Sequence, residues 1–245
     1  MSFVSRYGDD PTLAYPSPAT MAVKRATDVL GAAAGLVLLS PLFLAVAAII
    51  KLDSPGPVFF RQVRVGRDGH LFRIFKFRSM RVDVSRNGGA LTVRADKRVT
   101  RFGRFLRRSK LDELPQLINV LAGDMSLVGP RPEVVPFIMH YTPAQRAIML
   151  SVKPGITDHA AILFRDESAL LDCDRDPIEV YRREIMPIKF RYYARYIRRI
   201  TLLNDLRIIL ATVILLAIGR LPHWLGFEAE PQSQPLLGGS KSQEQ

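Results

Sequence analysis

VLGAAAGLVLLSPLFLAVAAII, residues 29–50, is an unbroken run without a charged side chain. At about 1.5 Å per residue, a helix of this length just crosses a hydrocarbon core of about 30 Å. Ser40-Pro41 sits at its middle. There the proline removes a backbone donor and pushes the preceding residue out of the α region, which bends a helix. Lys24 and Arg25 precede the run, and Lys51, Arg61, Arg64 and Arg67 follow it. The tendency of basic residues to stay on the cytoplasmic side places both ends there. A helix that enters, turns at Ser40-Pro41 and returns satisfies both observations. A straight span with a mild kink and a buried soluble helix are the competing readings. The distance of the run from residue 1 and the lack of a small-residue cleavage site argue against an ordinary signal peptide.

Outward from that run, residues 1–20 are polar and aperiodic and read as a loose tail. After it, Ser54-Pro55-Gly56-Pro57 is turn material. Residues 58–65 and 70–77 are β-prone runs separated by Gly66-Arg67-Asp68-Gly69, the pattern of a hairpin. Asn87-Gly88-Gly89 marks a flexible loop. Residues 99–108 predict an amphipathic basic helix that turns Phe102, Phe105 and Leu106 toward a membrane surface. In residues 109–133, SKLDELPQLINVLAGDMSLVGPRPE, Leu114, Leu117, Ile118 and Leu121 share one helical face and Gly123 is a stop. Pro115 fits a first helical turn, so Asp112 and Glu113 lie at or just before a helix N-terminus. Residues 144–150 and 176–200 also predict helices. Residues 208–219 are apolar but too short to span a bilayer. The expected fold class is α/β, mostly α with a small β-hairpin. Its parts are a tail over 1–20, a re-entrant membrane helix hairpin over 21–52, a compact cytosolic catalytic domain with amphipathic surface helices over 53–220, and a second tail over 221–245.

The chain has 245 residues, enough for one substantial domain, and a 48% apolar share that is ordinary for a globular protein and implies no all-membrane architecture. Its 35 Lys and Arg against 23 Asp and Glu leave a formal charge of +12, a balance that seeks a polyanion. Nucleic acid, anionic lipid and phosphorylated small molecules all qualify. The single cysteine, Cys173, cannot form an internal disulfide, which fits a reducing compartment, and reads as a buried thiol. The sequence has no Cys/His cluster of zinc spacing, so a metal here would be a hard cation held by oxygen.

A helix N-terminus favours phosphate through its unpaired N–H groups and partial positive charge. Adjacent carboxylates placed there can hold a divalent cation that neutralises a diphosphate. One of them can also attack phosphorus to give an acyl phosphate. Arg107, Arg108, Lys110 and Arg131 surround the pair, and the prolines of Gly129-Pro130-Arg131-Pro132 stiffen the loop that presents Arg131. Arginine forks suit phosphate oxygens. The plainer reading makes Asp112-Glu113 a dipole-favourable helix cap and the basic residues lipid-headgroup contacts. These residues alone indicate phosphate handling at a membrane and leave the chemistry open.

Four ordered motifs decide further: KRATDVLGAAAGLVLLSPLFL, PVFFRQVRVGRDGHLFRIFKFRSM, TRFGRFLRRSKLDELPQLINVLAGDMSLVGPRP and VKPGIT. With them, the stretch from about Lys24 to Thr212 resembles the bacterial sugar transferase family, the small monotopic phosphoglycosyl transferases. The resemblance implies a re-entrant helix broken at Ser40-Pro41 and an active site facing the cytoplasm at the bacterial inner membrane. It implies transfer of a sugar 1-phosphate from a UDP-sugar to polyprenyl (undecaprenyl) phosphate with release of UMP, the first step of a surface polysaccharide or glycan. On this likeness Asp112 is the nucleophile and Glu113 its partner at Mg²⁺, both carboxylates being candidate metal ligands. Arg107 matches a phosphate-contacting position, and Lys76, Arg78 and Arg131 match basic positions lining the same site. The implied partners are a UDP-sugar, polyprenyl phosphate and inner-membrane lipids, without nucleic acid, and no oligomeric state is implied.

Two departures stand out. Lys110 replaces the Ser or Thr usual before LDELPQ, adding charge beside the pair. After VKPGIT the chain reads Asp158-His159-Ala160-Ala161-Ile162-Leu163-Phe164-Arg165-Asp166-Glu167 in place of the commoner segment, which leaves the sugar open. Rival readings are a glycosyltransferase that releases UDP and a basic membrane or nucleic-acid binding module. The second has no use for Asp112-Glu113 or the rigid loop, and lacks the aromatic-interleaved basic surface of RNA-binding modules.

Overall fold

Ser17 opens the first helix by accepting a hydrogen bond from the Thr20 amide at 3.1 Å, with Pro18 in the first position where its missing N–H costs nothing. Helix α1 runs Pro18–Leu38 and helix α2 Ser40–Asp53, and the two are bent by 61° at Leu39. The bend falls where the sequence places it: the Ser40 hydroxyl donates back to Val37 O at 2.8 Å, beside the donor that Pro41 lacks. The helices begin three residues before the expected hairpin boundary and end one after it. Among the described residues no single helix is long and apolar enough to cross a membrane, but the bent pair together is. This computed structural model describes residues 16–82, 96, 98–165, 167–171, 175–222 and 225–227. Asn87-Gly88-Gly89, Cys173 and most of both expected tails lie outside them.

The hairpin forms as its sequence indicates. Strand β1 (Phe59–Val65) pairs antiparallel with β2 (Leu71–Phe77), from Phe59 opposite Phe77 to Val65 opposite Leu71. The reversal puts Asp68 (φ 55°) and Gly69 (φ 80°) in the left-handed region, which Asp tolerates and Gly favours.

Helix α3 (Arg101–Arg108), capped by Thr100, departs from expectation in its orientation. Phe105 is half exposed, whereas Leu106 is wholly buried against Val46, Ile50 and Phe77. Adjacent residues on a helix lie about 100° apart, so Phe105 and Leu106 cannot share an outward face. Helix α4 (Gln116–Ala122) is also rotated from the predicted face: Gln116, Leu117, Asn119 and Val120 are buried and Leu121 is exposed. The cause is Asn119, whose side chain accepts from Phe75 N at 2.8 Å and donates to Arg73 O at 2.9 Å, locking α4 to β2. Gly123 ends α4 at φ 93°, the expected stop.

The remainder is mostly helical. A short parallel pair, β3 (Ser126–Val128) with β4 (Gly155–Thr157), brackets α5 (Val135–Ile138) and α6 (Pro143–Leu150). Then follow α7 (His159–Leu163), α8 (Glu167–Leu170) and α9 (Pro177–Val180). The stretch expected as one helix over 176–200 is α9, a π-helical turn Tyr181–Ile185 and α10 (Met186–Arg198). Pro187, with no N–H to give, accounts for the widened turn before it. Helix α11 (Leu202–Ile218) starts six residues earlier than its apolar run suggests.

Both ends of the α1–α2 pair are tied to the rest of the chain. At the first end, Lys24 Nζ contacts Asp205 Oδ2 at 2.6 Å, and Arg25 donates to Val120 O (2.6 Å) and Leu121 O (3.2 Å). Asp28 accepts from Ser126 Oγ at 2.7 Å and Leu127 N at 3.0 Å. At the second end, Val46 and Ile50 pack on Phe77 and Leu106. Arg78 closes that end by donating to Ile50 O (3.1 Å), Ser54 O (2.6 Å) and Pro55 O (2.9 Å).

Candidate active site

The carboxylate pair is delivered by a short irregular link between α3 and α4. Lys110 adopts φ 56°, a left-handed conformation that costs a side-chain-bearing residue on the order of 1–3 kcal/mol. That reversal turns the chain into a 3₁₀ turn, Leu111–Glu113, and Pro115 then leads into α4. Asp112 and Glu113 are both buried, each about 8% exposed.

Two cations converge on Glu113. Lys76 Nζ, from β2, stands 2.7 Å from its Oε1. Arg131 gives a fork, Nη2 to Oε1 at 2.6 Å and Nη1 to Oε2 at 3.2 Å. The loop carrying Arg131 is tied on every side. Gly129 N donates to Thr157 O (3.1 Å) and Gly155 N to Pro130 O (2.9 Å). These strands approach so closely that a Cβ on Gly155 would meet Gly129 N at 2.0 Å, which explains the glycine in KPGIT. Arg64 Nη1 donates to Pro132 O at 3.0 Å, Val65 N to Glu133 O at 3.0 Å, and Tyr181 OH to Glu133 Oε1 at 2.9 Å.

The neighbouring carboxylates differ in kind. Burial acts most strongly on Glu113 and pushes its pKa up, but the Arg131 and Lys76 charges and the Arg131 hydrogen bond outweigh it. They hold the carboxyl well below its usual range. Asp112 is raised: burial dominates and the Glu113 charge adds to it, while Lys76, Lys110 and Arg107 pull only part of the way back. Its Oδ1 is sealed from solvent and has no hydrogen-bond partner. Burial also lowers Lys76, against the pull of Glu113, and the Glu113 charge raises Arg131.

The structure thus brings Asp112, Glu113, Lys76 and Arg131 together, with Arg107 on α3 close enough to act on Asp112 through its charge. It does not bring Arg78 to this cluster. Only 6% exposed, the Arg78 guanidinium is spent on the three carbonyls that end α2, so it closes the helix pair instead of facing the carboxylates. Ser40 and Pro41 stand at the helix break.

Magnesium is commonly held by one or two carboxylates and completed by waters and substrate phosphates. The donor set fits that mode: Asp112 offers a buried oxygen without a partner, next to the Glu113 carboxylate. Among the described residues no group of three or more His, Cys, Asp or Glu forms a larger cage.

Sequence reading missed three contributors. Arg64 and Asn119 support the site from β1 and α4, and nothing in their local patterns signals a long-range partner. The Lys24, Asp28 and Asp205 contacts had one available signal, opposite charges four residues apart just before the uncharged run of the helix (Lys24 Nζ to Asp28 Oδ1, 3.8 Å).

The family model described as bacterial sugar transferase matches residues 19–219. The chain belongs to that family. Over 196 residues it is 44% identical to a Xanthomonas campestris pv. campestris protein named UDP-glucose:undecaprenyl-phosphate glucose-1-phosphate transferase, with 78% of this chain and 38% of that protein covered. A Caulobacter vibrioides protein of the same name is 41% identical over 192 residues, covering 78% and 68%. An Aeromonas hydrophila protein, named UDP-N-acetylgalactosamine-undecaprenyl-phosphate N-acetylgalactosaminephosphotransferase, is 46% identical over 150 residues, covering 60% and 36%. This bacterial sugar transferase therefore spans well under half the length of the Xanthomonas and Aeromonas relatives.

Proposed function

We propose that the chain transfers a sugar 1-phosphate from a UDP-sugar to undecaprenyl phosphate, releasing UMP, at the cytoplasmic face of the bacterial inner membrane. The observation that carries this reading is the asymmetry of the buried pair. Glu113 is clamped by Lys76 and Arg131, while Asp112 beside it keeps an oxygen free of any partner. A carboxylate without a hydrogen bond, kept basic by burial, is a stronger nucleophile than a solvated one. The relatives' names supply the substrates, and the cations around the pair supply an anion site of matching charge.

In the first step a carboxylate oxygen of Asp112 attacks the sugar-bearing phosphorus. The bond from that phosphorus to the bridging oxygen breaks, and UMP departs with that oxygen and its electron pair. What remains on Asp112 is a phosphosugar held as an acyl phosphate. Lys76, Arg107 and Arg131 offset charge on the phosphoryl oxygens, Arg131 within reach while still oriented by Glu113. In the second step an oxygen of undecaprenyl phosphate attacks the same phosphorus, and the Asp112 carboxylate leaves. Atoms balance: the products are UMP, undecaprenyl diphosphate sugar and regenerated enzyme. Mg²⁺, held by Asp112 and Glu113 with the diphosphate, would withdraw charge from the phosphoryl oxygens.

The membrane reading rests on the helix pair. Its exposed residues include Leu30, Val37, Leu38 and Leu44, all at least 70% exposed, and such a surface needs an apolar medium. Both its ends are bound to the same body of the chain, which favours a re-entrant hairpin over a span. The parts proposed are the hairpin over 21–52 and the catalytic domain over 53–220, between the two tails.

The test incubates the purified chain with undecaprenyl phosphate, Mg²⁺ and a panel of UDP-sugars and identifies the released nucleotide. UMP with one sugar is expected; UDP would establish a glycosyl transfer instead. Asp112→Asn should abolish both turnover and any covalent phosphosugar adduct, and a variant at full rate would remove Asp112 from the role of nucleophile.

A further inference from the structure

Arg64 lies at the end of β1, behind the loop that carries Arg131. Its Nη1 donates to Pro132 O at 3.0 Å and its Nη2 to Gln62 Oε1 at 2.7 Å, while its Nε is sealed from solvent without a partner. Among the described residues Arg64 makes no carboxylate ion pair, unlike Lys76 and Arg131. A guanidinium taken out of water without a carboxylate costs stability. The two acceptors need donors, and the rigid guanidinium fork supplies both from one side chain. Burial and the neighbouring Arg131 hold Arg64 below the usual guanidinium range, so the two cations repel across the loop. Among the described residues the carboxylate that the Arg131 fork contacts is Glu113. The next residue reinforces the geometry: Val65 N binds Glu133 O at 3.0 Å, so β1 grips the loop on both sides of the Pro132 peptide.

We propose that Arg64 is a positioning residue of this site, holding the Pro132 carbonyl so that Arg131 stays forked on Glu113. The inference rests on the functional reading above only for its effect on turnover; its effect on the Arg131 fork stands independently. Arg64 touches neither carboxylate and acts through Arg131.

The test uses the full chain in lipid nanodiscs, isotope-labelled at arginine guanidinium nitrogens, with Arg131 assigned by comparison with Arg131→Lys. A guanidinium fixed as a fork shows its two Nη groups as separate signals. In Arg64→Gln the Arg131 fork loosens and its Nη signals should merge as the group rotates. In Arg64→Lys, which keeps charge but loses the second donor arm, the same change should be weaker. UMP release is then followed in a double-mutant cycle. Arg64→Gln should lower turnover about tenfold alone and less than about twofold in an Arg131→Lys background. A role in folding alone would give equal losses in both backgrounds and a lowered melting temperature. Unchanged Arg131 signals, or losses that add, overturn the proposal. Merged Arg131 signals in a protein that releases no UMP would leave Arg64 in its role and sink the transferase reading instead. Should Arg64→Gln fail to fold, the Arg64→Lys spectrum and cycle decide between the same outcomes by the same criteria.

Discussion

Asp112 and Glu113 are neighbours in sequence with opposite energetic signs. Glu113 is ionised against two cations, and removing one member of such a buried group leaves the others uncompensated, at a cost of about 3–5 kcal/mol. Asp112 is raised, so the folded state holds its proton more tightly than the unfolded state does. Its ionised form costs stability above its folded pKa, and that cost is relieved as pH falls through it. Glu113 behaves inversely: its contribution is full above the unfolded carboxyl value and is lost as pH falls through its depressed folded pKa. At neutral pH Asp112→Asn should therefore raise Tm while abolishing turnover, and Glu113→Gln should lower Tm by several degrees at least, since each kcal/mol moves a protein of this size by about 2–4 °C. Thermal unfolding of both variants checks the pair, and a shared direction of shift would refute the asymmetry. The proposed attack needs an ionised Asp112, so the acid limb of kcat/KM should lie above the usual aspartate range. Lys76 is the strongest influence holding Asp112 down, so Lys76→Met should move that limb to higher pH. A pH–rate profile with an unmoved limb would separate Lys76 from Asp112.

At the scale of elements, the informative join is between the helix pair and the hairpin strand that follows. Arg78 donates to three carbonyls at the end of α2, and losing three hydrogen bonds costs about 3 kcal/mol in total. Arg78→Gln should lower Tm by about 6–12 °C and change the KM for the sugar nucleotide by less than about twofold. A phosphate-binding residue would show the reverse, a large rise in KM with Tm nearly intact. This is where the sequence was least legible. Local signals found the break at Ser40-Pro41, the hairpin turn, the Gly123 stop and the carboxylate pair, because proline, glycine and alternation act within a few residues. The rotation of α3 and α4 was not legible, since it depends on Asn119 reaching β2 and on Leu106 fitting between Ile50 and Phe77. Motif likeness placed Arg78 beside Lys76 in KFRSM, yet residues two apart on an extended chain share a face only while the strand lasts. Strand β2 ends at Phe77; Arg78 N still donates to Val58 O, but the Arg78 guanidinium is taken up by the carbonyls of Ile50, Ser54 and Pro55.

For the whole molecule the proposed membrane hairpin raises the question of how deeply the helix pair would enter a bilayer and whether it would return. Lys24 and Asp28 hold the start of α1 to Asp205 and Ser126, so only residues 29–38 are left to enter before the bend. Ten helical residues reach about 15 Å, half of a hydrocarbon core of about 30 Å. The returning helix has 14 residues, too few to cross alone, and its far end is bound by Arg78 on the same body that binds Lys24. A span would have to break either the Lys24–Asp205 contact or the Arg78 contacts, leaving buried charges unpaired. A re-entrant hairpin keeps both and places Leu30, Val37, Leu38 and Leu44 in lipid. In a background where Cys173 is replaced by serine, a cysteine at Ser5 and another at Ala144, exposed on α6, should therefore react with a membrane-impermeant maleimide from one side only, the cytoplasmic one. The comparison is made between intact cells and inverted vesicles, with each cysteine tested singly. Labelling of the Ser5→Cys chain from outside intact cells, with Ala144→Cys still protected, would mean that the pair crosses. The ties at Lys24 and Arg78 could then not both persist in the membrane.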